Sequence, residues 1–146
     1  MTVRTAARLY SPALLGLATG LADFPLTADL PLRAEARSRS CGSVIAIGLA
    51  LSEGGRIARI GIKVSACAIG QASAALLAQS AVGRDPGAVE ATARALERWL
   101  AGEGALPDWP RIDALAPAQS HPGRHGALLL PWTAARTALS QGQGTR

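Results

Sequence analysis

Residues 32–74 read LRAEARSRSCGSVIAIGLALSEGGRIARIGIKVSACAIGQASA, and their patterning decides the fold. From Leu32 the side chains alternate: Leu32, Ala34 and Ala36 are apolar, while Arg33, Glu35 and Arg37 are charged. A period of two residues sends the two sets to opposite faces of an extended chain, the signature of a half-buried strand. Residues 44–51, VIAIGLAL, form an apolar run, and Glu53-Gly54-Gly55 supplies a turn. From Arg56 to Val64, Ile60, Ile62 and Val64 then alternate with Arg59 and Lys63. The two runs make a hairpin, and with the first strand they give a three-stranded antiparallel meander. After Ser65 the sequence ACAIGQASAALLAQSAV is rich in Ala, Leu and Gln. Ser65 stands where an N-cap is expected, and a helix begins at or just after Cys67.

Helical patterns flank the meander. Ala6, Ala7, Leu9, Tyr10, Leu14, Leu15 and Ala18 fall on one stripe of an opening amphipathic helix over residues 5–18, which Pro12 restarts. Asp85-Pro86 reads as a cap followed by a first-turn proline, and Val89, Ala93, Leu96 and Leu100 recur at helical spacing up to a stop at Gly102. Pro107, Pro110, Pro117 and Pro122 break up the next stretch into an ordered connector with room for a short turn around Arg111 to Leu115. A last helix is expected from about Arg124 to Leu139, with Pro131 as a kink, and residues 141–146 should fray. The fold class is therefore α+β: one domain over 1–146, the meander packed against four to five helices.

The composition narrows the function classes. The net charge is +5, yet the arginines at 33, 37, 39, 56, 59, 94, 98, 124 and 136 are dispersed and Lys63 is the only lysine. Nucleic-acid surfaces cluster basic residues and interleave aromatics, so no nucleic-acid role is expected. Residues 11–22 superficially resemble a signal-peptide apolar region behind Arg4 and Arg8, but the run is too short for a bilayer and Gly16 and Gly20 interrupt it. A folded helix, no membrane association and a cytoplasmic location are the expectation. Trp99, Trp109 and Trp132 read as core or partner-contact residues. No GxSxG stretch, phosphate-binding loop or paired-carboxylate site stands out.

Chemistry concentrates on Cys41 and Cys67. They do not form a CxxC pair, so spacing alone announces neither zinc nor a redox dithiol. Their placement is more telling. Cys41 lies in the turn between strands one and two, and Cys67 follows strand three, so an antiparallel meander gathers both at one end of the sheet. A helix start presents unpaired N–H groups, which favour the thiolate form that binds metal or accepts sulfur.

Here a resemblance enters. Cys41-Gly42-Ser43, a hairpin, and then Ala66-Cys67-Ala68-Ile69-Gly70-Gln71-Ala72-Ser73-Ala74 resemble the U-type iron-sulfur cluster scaffold family (NifU N-terminal-like). In that family the first Cys precedes Gly-Asp, and the second opens a Cys-Ala-Ile-Ser-x-Ala-Ser helix. Leu9-Tyr10-Ser11-Pro12 is similar to the family's start, and residues 122–132, PGRHGALLLPW, resemble its Arg-x-x-Cys-Ala-x-Leu-x-Trp entry to the last helix. Two departures stand out: Ser43 replaces the family's Asp, and Ala127 falls where the third cysteine belongs.

The resemblance implies a SufE/NifU-like fold. It also implies a labile iron-sulfur cluster, iron or Zn²⁺ held by Cys41 and Cys67, or no cofactor at all, and partnership with a cysteine desulfurase and recipient apo-proteins. His125 is a candidate third metal ligand, and a homodimer is a candidate assembly. The chain is expected to be a non-catalytic assembly protein. A sulfurtransferase accessory carrying persulfide and a degenerate scaffold with a regulatory role are the alternatives.

Overall fold

The computed structural model describes residues 10–39 and 42–144. Three strands, β1 (Leu32–Arg37), β2 (Val44–Leu51) and β3 (Ile57–Ser65), form one antiparallel sheet in the order β1-β2-β3. The register sets Arg37 opposite Val44 and Val44 opposite Ser65, so the β1–β2 turn and the exit from β3 share one end of the sheet.

The alternation in the sequence decides which face is buried. Ile45, Ile47 and Leu49 of β2 lie beside Val64, Ile62 and Ile60 of β3, and this face meets the helices. Each such side chain removed from water contributes about 1.5–3 kcal/mol. On the outer face, Gly48 opposes Gly61, and the chain from Pro25 to Leu30 crosses over them. A Cβ on Gly61 would collide with the Pro25 carbonyl and come 2.9 Å from the Leu26 Cα. The crossing therefore requires glycine.

Four α-helices occur among the described residues: α1 (Pro12–Thr19), α2 (Ala68–Ala81), α3 (Pro86–Leu100) and α4 (His125–Gly144). α4 lies on β1 and β2, α2 packs against β3, α1 and α4, and α3 covers α4. Trp109 and Trp132, both buried, meet edge-to-face at 5.0 Å between α2 and the final helix. Their N–H groups are satisfied: Trp109 Nε1 donates to the Leu76 carbonyl at 2.9 Å and Trp132 Nε1 to Ser73 Oγ at 3.0 Å. All three tryptophans are core residues.

Several boundaries differ from the sequence reading. α1 starts at Pro12 because Ser11 Oγ accepts the Leu14 N–H at 3.2 Å; the expected helical residues 5–9 lie outside the described residues. Ser65 remains in β3, and Cys67 itself occupies the N-cap of α2. The connector holds a longer 3-10 segment, Ile112–Ser120, than the short turn expected, because Ile112, Leu115 and Ala118 are buried. α4 continues past Leu139 to Gly144, and Gln141 is tied to β1. Asp85 caps α3 as expected, accepting from the Gly87 N–H at 2.9 Å.

Candidate functional site

The site is built at the sheet end where β1 turns into β2 and β3 runs into α2. Ser38 N–H donates to the Ser43 carbonyl at 2.9 Å and Gly42 N–H to the Ser38 carbonyl at 3.2 Å, closing the turn. Gly42 takes φ +71°, a conformation glycine adopts without strain. Cys41 belongs to this turn by sequence but lies outside the described residues. Ser43, at the Asp position of the resembled pattern, is buried and precedes β2 directly.

Cys67 is a free, half-buried cysteine with φ −66° and ψ 172°, the extended conformation of an N-cap. Its side chain makes no capping hydrogen bond, which leaves the sulfur available. Its main chain is held: the Cys67 carbonyl accepts the Gln71 N–H at 3.0 Å, and Gln71 Nε2 donates to the Ala66 carbonyl at 2.8 Å. Gln71 thus braces the strand-to-helix corner from within α2. No periodicity in the sequence signals this role, which rests on an i, i+5 relation to Ala66.

The third position of the resembled pattern is brought to this corner. A Cβ on Gly70, one turn into α2, would lie 2.8 Å from the Ala66 Cβ, 3.3 Å from the Ala127 oxygen and 3.4 Å from the Ala127 Cβ. Glycine at 70 lets α4 close on the first turn of α2, and Ala127 is fully buried there. Pro131 has no N–H to offer the Ala127 carbonyl four residues back, while Ser73 Oγ–H takes the neighbouring Leu128 carbonyl at 2.7 Å.

His125 opens α4. Its Nε2 lies 3.1 Å from the Ala118 carbonyl and 2.9 Å from the Gln119 carbonyl, so Nε2 carries the proton and ties the 3-10 segment to α4. Nδ1 is the nitrogen left for another role. Among the described residues, no three His, Cys, Asp or Glu side chains stand close enough to hold a metal ion. The described part of the corner therefore offers one thiol, Cys67, with Ala127 and Ser43 contributing neither sulfur nor carboxylate.

No family profile matches the sequence, and no curated protein is similar to it at a significant level. Solved structures are closer. A nitrogen-fixing NifU-like protein (N-terminal) from Brucella abortus superposes with a TM-score of 0.89 at 24% identity, over 97% of this chain and 99% of that one. A Fervidobacterium islandicum protein assigned as an iron-sulfur cluster assembly scaffold for the SUF system superposes at 0.82 with 19% identity, over 91% and 98% of the two chains.

The chain has the U-type scaffold fold.

In the U-type fold seen here, two features of the resemblance acquire positions. Cys67 sits where β3 passes into α2, and Ala127 abuts the first turn of α2. No described helix is long and apolar enough to cross a membrane.

Proposed function

We propose that the chain works in iron-sulfur cluster assembly as a U-type scaffold, receiving sulfur or a labile cluster on Cys67 together with Cys41 and passing it to recipient apo-proteins. It is not an enzyme in this reading, and a cytoplasmic cysteine desulfurase is its sulfur donor. The supporting observation is the thiol of Cys67 at the α2 N-cap, free of any capping bond, at the sheet end that carries the β1–β2 turn, to which Cys41 belongs by sequence. Thiolates are the ligands that iron-sulfur clusters, iron and Zn²⁺ share.

The test is anaerobic reconstitution of the purified chain with iron, sulfide and a cysteine desulfurase. A chromophore with bound iron is expected, and Cys67→Ala should remove it. A colourless, metal-free product from the unchanged protein overturns the scaffold reading.

Ala127 and Ser43 favour a second reading, in which the chain carries persulfide without holding metal. A Cys67 thiolate would attack the outer sulfur of a donor persulfide; the donor's S–S bond breaks, a new one forms on Cys67, and the donor leaves as a thiolate. A sulfur adduct on one cysteine by mass spectrometry, with no metal present, selects this reading over the first.

A further inference from the structure

β1 is an edge strand, and the phase of its ladder is fixed at two points. Ser38 and Ser43 are hydrogen-bonded across the turn, so the even-numbered residues of β1 direct their main chain toward β2. Arg33, Glu35 and Arg37 direct theirs outward. Arg33 shows it: its N–H donates to Gln141 Oε1 at 3.2 Å and its carbonyl accepts from Gln141 Nε2 at 2.7 Å. Past this clip the edge is open. Among the described residues nothing bonds to the outward main chain of Glu35 or Arg37, and neither exposed side chain has an ion partner.

We infer that this open edge pairs with the same edge of a second copy of the chain, about a two-fold axis through Ala36. Antiparallel pairing about Ala36 sets Glu35 of each copy against Arg37 of the other, both with outward main chain, so each couple exchanges its N–H and C=O groups. The side chains of each couple lie on the outer sheet face as opposite charges, which stabilises directly opposed positions. The two-folds through Glu35 and through Arg37 would each set a charge against its own copy, Glu35 to Glu35 or Arg37 to Arg37, and the first also needs the Arg33 main chain that Gln141 already holds. Charge and hydrogen bonding thus select one register. The product is a continuous six-stranded sheet whose two β1–β2 turns lie at opposite ends, so this dimer leaves each Cys67 end open to a different partner. The inference stands independently of the sulfur chemistry proposed above.

Sedimentation of the full chain under reducing conditions tests it. A concentration-dependent dimer is expected. Glu35→Arg and Arg37→Glu should each weaken it about tenfold or more by opposing like charges, and the double exchange should restore it. Glu35→Pro should abolish the dimer while leaving the thermal transition in place, because the N–H it removes makes no bond within the sheet. In a Cys41→Ser/Cys67→Ser background, Ala36→Cys should form an inter-chain disulfide on mild oxidation, since the non-hydrogen-bonded pair on the axis has its Cα atoms about 4.5 Å apart. A chain that stays monomeric at every concentration overturns the inference. So does a dimer indifferent to Glu35→Pro, or a charge exchange without recovery. A monomer that uses this edge for a different protein, losing that binding on Glu35→Pro, overturns it as well.

Discussion

At the scale of single residues, the candidate site is a matter of which small side chains stand where donors would. Ala127 and Gly70 form a complementary pair: the absent Cβ at 70 makes room for the α4 backbone, and the short side chain at 127 fits against it. Ala127→Cys would add a third thiol to the chain, beside the first turn of the helix that Cys67 caps, and the variant is expected to retain more Zn²⁺ through dialysis than the unchanged chain. Equal metal content in the two proteins would mean that position 127 does not face the thiol of Cys67. The place of Cys67 in the fold was readable from sequence, because it follows an alternating strand and precedes an Ala-rich run. His125 was harder to read. Its ring is claimed by the carbonyls of Ala118 and Gln119, and a 3-10 segment that presents two carbonyls to one imidazole leaves no periodic trace in the sequence.

Among the elements, β1 and β2 were legible to the residue and β3 to within one residue at each end, while most helix ends were not, for one physical reason. Alternation of Leu32, Ala34 and Ala36 with charged neighbours reports burial directly, and burial is what fixes a strand's face. A helix end is set by whatever satisfies its last polar groups, which is often remote in sequence. α4 outlasts its expected end because Gln141 hydrogen-bonds the main chain of Arg33, 108 residues away. Gln141→Ala should cost about 0.5–1 kcal/mol, as these bonds are exposed, and should speed amide exchange at Arg33. Unaltered exchange there would show that the clip is not maintained in solution. The outer crossing gives a larger effect. Gly61→Ala drives a methyl into the Pro25–Leu26 backbone, which has no side-chain freedom to yield, and should destabilise the domain by about 1–3 kcal/mol in a denaturant titration. A neutral result would mean that the 25–30 segment can lift off the sheet without loss.

For the whole molecule, the helical layer is joined at its outside by charge as well as by its core. Glu90 of α3 accepts from Arg136 Nε of α4 at 2.7 Å through Oε2, and its Oε1 takes a second bond from Arg136 at 3.0 Å and one from Arg94 at 2.8 Å. Arg136 also reaches Glu97 at 3.1 Å. The Arg136 hydrogen bonds, followed by that of Arg94, hold the Glu90 carboxyl below its ordinary value, and the same pairing raises Arg136 above its own. A carboxylate whose folded-state pKa is depressed binds fewer protons folded than unfolded. Its stabilising contribution is thus present in full above the unfolded value of about 4.5 and is lost as pH falls through the lower folded value. Because the Glu90 side chain is 38% exposed, solvent screens the pair and the contribution stays under about 1 kcal/mol. Glu90→Gln should therefore lower the thermal midpoint modestly at neutral pH, and the gap between variant and unchanged chain should close on acidification below about pH 4. A gap that persists undiminished in acid would assign the loss to the packing against α4 of α3, the helix whose buried residues are Val89, Thr92, Ala93, Leu96 and Trp99.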